Sequence, residues 1–243
     1  MTTYRSIWTS DHHLGNPLCQ AKSFLQFMHD NDADIFGLVG DFIDGWSLRR
    51  KFHWPQSHND VVQKILRKGR KGSEIPLVPG NHDEFLEFLL GLTLGHILVK
   101  HEYSYTDAKG RKFLVIHGHQ FDVRVPIWLM KVGSWIYDYT VWLNHIVHKV
   151  RDHFNLPHWS LSNYLKKRTK EATSYVSNFK VLATTYAKSK GYDGVICGHI
   201  HDPKIEVIDG IIYMNSGDWV EHCTALVEDM DGQWSLISTP RLG

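Results

Sequence analysis

The chain has 243 residues, of which 42% are hydrophobic and 22% charged, a folded globular composition long enough for one domain, or one domain with a sizeable insertion. Formal net charge is +1, so total charge does not point to a highly charged partner. The three cysteines, Cys19, Cys197 and Cys223, are far apart and odd in number, which excludes a disulfide framework and a cysteine-type zinc pair and fits a reducing compartment.

The first residues run straight into an apolar strand at Ile7-Trp8 with no visible signal peptide, so a cytoplasmic location is expected. Phe24, Phe27 and Met28 have helical spacing, and Ile35 to Val39 reads as a second strand. Val61, Val62, Ile65 and Leu66 mark another helix, and Ile75 to Val78 a third strand. The alternation predicts an α/β fold. Lys112–Ile116, Gly194–Cys197 and Ile211–Met214 add further strands, making the C-terminal third β-rich. Between about Val123 and Lys190 the pattern is helical. Trp128, Trp135 and Trp142 recur every seven residues, Asn155-Leu156-Pro157 breaks the run, and a second long helix is expected from Leu161 to Ser189. The segment 123–190 therefore reads as a helical lid inserted in a single domain spanning 1–243. Its longest apolar stretch, Val125 to Val150, is interrupted by Lys131, Asp138 and His145, which argues against a membrane span.

The 17 histidines are informative by position. Five times an apolar strand ends and metal-type side chains follow at once: Asp11-His12-His13 after Ile7-Trp8, Asp41 after Leu38-Val39-Gly40, Asn81-His82-Asp83 after Leu77-Val78-Pro79-Gly80, His117-Gly118-His119 after Leu114–Ile116, and His199-Ile200-His201 after Val195–Gly198. Ligands bind beyond the carboxyl ends of strands in open α/β sheets, so five such ends can converge on one cleft. Each motif alone is common in turns and caps; together and in this order they are not. Oxygen and imidazole donors without thiolate suit Mn, Fe, Zn or Co, and a carboxylate can bridge two cations in a hydrolase site. Glycines 40, 80, 118 and 198 are expected to let the backbone turn as it leaves each strand. His12 and His119, each beside a candidate ligand, are expected to be non-ligands, because neighbours in a strand-like segment point apart.

Asp11-x-His13, Gly40-Asp41-x-x-Asp44, Gly80-Asn81-His82-Asp83, His117 and Gly198-His199-x-His201 together resemble the signature of the calcineurin-like metallophosphoesterases. The resemblance implies a four-layer α/β/β/α metallophosphoesterase sandwich with the site at its edge and a helical lid insertion. It implies two divalent metal ions, manganese as the first expectation and iron, zinc or cobalt as alternatives. Asp11, His13, Asp41 and His201 would hold one, and Asp41, Asn81, His117 and His199 the other. The nucleophile would be a metal-bridged hydroxide. His82 would contact the phosphate and either protonate the leaving oxygen or stabilise the transition state, Asp83 would orient His82, and Asp44 would stand behind them.

The sequence is further similar to the UDP-2,3-diacylglucosamine hydrolases (diphosphatases) of lipid A synthesis, which carry a helical lid at the same place and act on the cytosolic face of the inner membrane. Their well-known branch has Arg where this chain has His82, and an acidic residue where it has His119, so the resemblance is to a paralogous branch. It implies a nucleotide-linked or phosphorylated lipid substrate, with possible peripheral inner-membrane contact through the lid. Two basic segments agree with an anionic substrate: Leu48–Gly72 has eight Lys/Arg against one acidic residue, and Val123–Lys190 eleven against three. Candidate substrate contacts are Trp46, Arg49 and Arg50 near the metal mouth and Lys167 and Arg168 in the lid, although adjacent residues on a helix face different ways. The tryptophan stripe either packs the lid on the core or receives acyl chains. A phosphatase or phosphodiesterase acting on soluble nucleotides is the alternative. A non-catalytic scaffold would be expected to lose ligands or His82, and none is lost here. No stacking-and-basic RNA motif is evident, so nucleic acid is not expected as a partner; the oligomeric state stays open.

Overall fold

The apolar runs read from the sequence are strands buried on both faces, and alternate side chains on each serve different cores. The computed structural model describes residues 2–94, 96–122 and 162–242. Its first sheet has the order β12-β11-β1-β2-β3-β5-β4, with β1 at Thr2–Thr9, β2 at Asn31–Val39, β3 at Ile75–Val78, β4 at Thr93–Leu94, β5 at Ile97–Val99, β11 at Thr224–Glu228 and β12 at Trp234–Ser238. The second has the order β6-β7-β8-β10-β9, with β6 at Tyr103–Thr106, β7 at Lys112–Val115, β8 at Gly194–Cys197, β9 at Lys204–Ile208 and β10 at Ile211–Asn215. Neighbouring strands β1, β2, β3 and β5 run parallel, as do β7, β8 and β10.

Period-two alternation divides the side chains of these strands among three apolar layers. On the outer side of the first sheet, Ile7, Phe36, Leu38, Ile75, Leu77 and Val227 pack with Phe24, Phe27 and Met28 of α1 (Ala21–Asp30) and Val61 and Ile65 of α3 (Gln56–Arg70). Between the sheets lie Trp8, Val39, Val78 and Leu226 from one and Phe113, Val115, Ile196 and Met214 from the other. On the outer side of the second sheet, Leu114, Ile116, Val195, Cys197 and Tyr213 pack with Phe179, Ala183 and Ala187 of α4 (Ser162–Ser189). The order is helix, sheet, sheet, helix, and each fully buried Leu, Ile or Phe contributes about 1.5–3 kcal/mol.

The chain forms two units, Met1–Phe121 with Asn178–Gly243, and Asp122–Ser177. In the second, the Tyr175 hydroxyl donates to the Asp122 carboxylate; the expected tryptophan stripe falls outside the described residues. Among the described residues no helix is long and apolar enough to cross a membrane.

The basic segments are partly committed to the fold. Lys68 is buried and donates from Nζ to the Asn31 carbonyl at 2.7 Å and to Asp32 at 2.9 Å. Lys180 pairs with Asp202 at 2.7 Å and Glu206 at 2.9 Å, and Lys190 with Glu102 at 2.5 Å. These three cations are paired with acids of the fold, Lys68 and Lys180 buried and Lys190 at the surface.

Candidate metal centre

The parallel strands of both sheets deliver their carboxyl ends to one place. Asp11 and His13 follow β1, Asp41 follows β2, Asn81 and His82 follow β3, His117 follows β7, and His199 and His201 follow β8. The backbone leaves the strands by an unusual route. Of the seven non-glycine residues with positive φ among those described, five are candidate ligands: Asp11 (52°), His13 (53°), Asp41 (51°), His199 (70°) and His201 (50°). The left-handed conformation costs roughly 1–2 kcal/mol per residue, and clustered strain of this kind accompanies functional sites. The turning is thus done largely by the polar residues themselves. Gly198 is required for a different reason than expected: a Cβ there would lie 2.4 Å from Asp11 Oδ2. Gly40 does both jobs, with φ of 80° and a would-be Cβ 2.1 Å from the His117 ring.

Several of these side chains are tied at one end and open at the other. Asp11 Oδ2 accepts the His199 backbone N–H at 2.9 Å, while Oδ1 faces His201 Nε2 at 3.2 Å without a well-formed hydrogen bond. Asp41 Oδ1 accepts the His82 backbone N–H at 2.8 Å, while Oδ2 faces Nε2 of His117 at 3.4 Å, of His13 at 3.8 Å and of His82 at 4.0 Å. His117 Nδ1 donates to the Val39 carbonyl at 3.0 Å, a bond between the two sheets, and Nε2 is left without a hydrogen bond. Asn81 Oδ1 is also buried and unpartnered. Buried polar atoms are ordinarily satisfied, and anchoring the far end of a ligand is how proteins aim the near end at a cation.

Among the described residues, three groups of donor atoms lie within 4.8 Å of one another: Asp11, His13 and His201; His13, Asp41 and His82; Asp41, His117 and His199. His13 and Asp41 each belong to two of them, so the three groups form one chain. Oxygen and imidazole donors converging with orphaned atoms fit a pair of divalent cations. Electrostatics agree. Burial alone would raise the Asp11 and Asp41 carboxyls, yet the neighbouring imidazoles, His201 for Asp11 and His117 for Asp41, hold both well below the usual carboxylate range. Burial likewise opposes protonation of His117, but Asp41 and Asp11 push it up to about 10. His201 and His82 are raised in the same way, each by carboxylates that outweigh burial. The carboxylates thus favour positive charge at these rings, and divalent cations would supply it in their place.

One expected role is corrected. Asp83 does not orient the His82 ring: its Oδ1 accepts the Gly80 N–H at 2.6 Å and its Oδ2 the N–H groups of Phe42 at 2.8 Å and Ile43 at 3.3 Å. A short side chain occupied by three backbone donors knits the β2 and β3 exits together. Burial and then the Asp41 charge push its carboxyl up to about 6. The ring partner of His82 is Asp44, whose Oδ1 lies 3.0 Å from Nδ1. Asp44 also caps α2 (Gly45–Arg50) by accepting the Ser47 N–H. Trp46, on the first turn of α2, lies over the other side of His82 with ring centroids 4.0 Å apart. Arg49 and Arg50 are exposed on the last turn, outside the three donor groups. Lys167 and Arg168 fall in α4 where side chains are outside the described residues.

His12 points into the core, its ring 4.4 Å from that of Phe24, and burial pushes it down to about 3, a neutral packing histidine. Sequence reading missed the exit of β10. Asn215 donates to the Gly198 carbonyl at 2.7 Å, the Ser216 hydroxyl meets Ser10 at 2.7 Å, and buried Asp218 takes the Val220 N–H at 2.8 Å and lies 3.9 Å from His201 Nδ1. The signal was present: Asn215-Ser216-Gly217-Asp218 follows the Ile211–Met214 run as polar residues follow the other five strands.

The sequence profile of the calcineurin-like phosphoesterases matches residues 4–203. Among solved structures, the fold is similar to that of an archaeal phosphodiesterase, at 16% identity and a TM-score of 0.50 over 97% of this chain and 99% of that one. It is also similar to a hypothetical protein of Pyrococcus horikoshii OT3, at 11% identity and a TM-score of 0.54 over 99% and 89%. At such identities the likeness concerns the fold alone. A search of curated proteins finds no match. With the profile covering most of the chain and the donor clusters at the strand ends, this protein belongs to the calcineurin-like phosphoesterase family and is a metal-dependent phosphoester hydrolase.

Proposed function

We propose that the protein is a two-cation phosphoester or pyrophosphate hydrolase acting on a nucleotide-linked or phosphorylated lipid, in the manner of a UDP-2,3-diacylglucosamine diphosphatase. The observation that carries the two-cation reading is that one oxygen of Asp41, Oδ2, faces His13 at 3.8 Å and His117 at 3.4 Å, in donor groups that follow one another from Asp11 to His199. Asp11, His13, Asp41 and His201 would hold one cation, and Asp41, Asn81, His117 and His199 the second. Bound there, divalent cations, manganese first, supply Lewis acidity to phosphoryl oxygens and lower the pKa of water. His82 is half-buried and stands beside the His13–Asp41 end, where its Nε2 can reach a phosphoryl or leaving-group oxygen. Asp44 behind Nδ1 fixes the ring and stabilises its protonated form. Exposed Arg49, Arg50 and Lys51 follow Trp46 closely and are the candidates for contact with a second phosphate. The lipid part of the proposal, and peripheral membrane contact, are supported by the sequence of 123–190, basic and rich in tryptophan.

The test is UMP release from UDP-2,3-diacylglucosamine by metal-free protein with manganese added back, alongside elemental analysis of the wild type and Asp41→Asn. The wild type is expected to take up two manganese ions and release UMP, and the variant to lose both properties. Good manganese-dependent turnover of an aryl phosphate diester or a free nucleotide with no UMP release would overturn the lipid substrate and leave the chemistry standing.

A further inference from the structure

Two imidazoles outside the proposed ligand set stand beside different members of it. His82 adjoins His13, with ring centroids 4.6 Å apart. His119 adjoins His117 and His199, its ring centroid 5.5 Å from that of His117 and 6.5 Å from that of His199. Nothing so far gives His119 a role. The three donor groups found among the described residues do not include it.

The fold sets its place firmly. Gly118, with φ of 111°, reverses the chain after His117, and a Cβ there would lie 2.5 Å from the Phe179 ring. The turn leads into a single 3-10 turn, His119–Phe121, closed by the Phe121 N–H to the Gly118 carbonyl at 3.0 Å. Phe121 anchors it edge-on between Phe179 and Tyr186, at 6.0 and 5.5 Å. His117 is sealed, whereas His119 is only half-buried, with its Nδ1 buried, beside the Asp41–His117–His199 donors. An imidazole offers an N–H in either neutral tautomer and in its protonated form, so a contact from here does not depend on its titration.

We propose that His119 is a substrate contact that donates an N–H to a non-bridging phosphoryl oxygen held beside His117 and His199. The assignment rests on the two-cation reading above. A second imidazole contact would help fix the orientation of a phosphoryl group, and a substrate with two adjoining phosphoryl groups could engage both His82 and His119.

The experiment compares wild type, His119→Ala and His119→Asn, each loaded with manganese. Manganese content is read by elemental analysis, binding of inorganic phosphate by calorimetry, and kcat and KM on an aryl phosphate diester. Manganese content is expected to stay at the wild-type level in both variants. Phosphate affinity should fall about 10-fold or more in His119→Ala, as for loss of a hydrogen bond to a charged group, with KM rising and partial recovery in His119→Asn, which keeps an N–H. Unchanged phosphate affinity in His119→Ala would overturn the assignment, and so would loss of manganese, which would make His119 a support of the metal centre. A wild type that takes up no manganese sinks the two-cation reading itself and His119 with it, a result distinct from equal phosphate binding by loaded wild type and variant.

Discussion

The Asp44 carboxylate holds the His82 ring, with Oδ1 3.0 Å from Nδ1, and the same oxygen accepts the Ser47 N–H at 2.7 Å at the start of α2. One side chain thus caps a helix and aims an imidazole at the metal centre. Asp44→Asn keeps the shape and removes the charge. Its turnover is expected to fall about 10- to 100-fold with metal content unchanged, since general acid–base help amounts to roughly 10²–10⁴-fold in all. Asp44→Ala adds a loss of about 1 kcal/mol in unfolding free energy from the missing cap. Steady-state kinetics and urea titration separate the two effects; full activity in Asp44→Asn would remove Asp44 from the chemistry.

Metal uptake should release protons. In the metal-free protein His117 is pushed up to about 10, so its ring is protonated at pH 7.5, and a ligand must be deprotonated to bind. Apparent manganese affinity should therefore climb with pH from 7 towards 9. Titration calorimetry in two buffers of different ionisation enthalpy reads the proton count directly, and zero release at pH 7.5 would contradict the shift.

His58 links stability to pH elsewhere. Its Nδ1 accepts the Gly15 N–H at 3.1 Å, an acceptor role that only the neutral ring can fill, and burial followed by the His53 charge lowers it to about 4. Because the folded value lies below the ordinary 6.5, the unfolded chain binds the extra proton first. The stabilisation is fully present above about pH 6.5 and is lost as pH falls towards 4. Between pH 7 and 5 the wild type should lose about 1–2 kcal/mol more than His58→Asn, which retains an acceptor but does not titrate. Parallel denaturation curves at the two pH values check it; identical slopes would show that His58 is not the group responsible.

Gly40→Ala should damage the metal centre through His117. The new Cβ would lie 2.1 Å from Nδ1, the atom that donates to Val39. A stability loss of about 1–3 kcal/mol from overpacking is expected, together with loss of the cation shared by Asp41, His117 and His199. Gly72→Ala is the control: it also has positive φ, 111°, but nothing lies within 4 Å of its would-be Cβ. It should show strain without metal loss, as read by melting and elemental analysis.

The sequence by itself determined the elements whose pattern is local. Runs such as Ile35–Val39 and Val195–Cys197 are strands because apolar residues on both faces have nowhere else to go, and the polar residues after each run mark where the chain leaves the sheet. Strands β4, β5, β6, β9, β11 and β12 and the short α2 went unread, because weakly apolar or brief segments take their structure from the neighbours they pair with. Pairing across the interior was likewise invisible: Asp44 serves His82 across 38 residues and Asp11 takes the His199 N–H across 188. Only the tertiary structure could show that Asp83 is consumed by three backbone donors, that Lys68 and Lys180 are bound to acids of the fold, and that His119 stands beside the His117 and His199 rings. Sequence spacing sets which residues leave a strand together; burial, and the need of each buried polar atom for a partner, decide what those residues do.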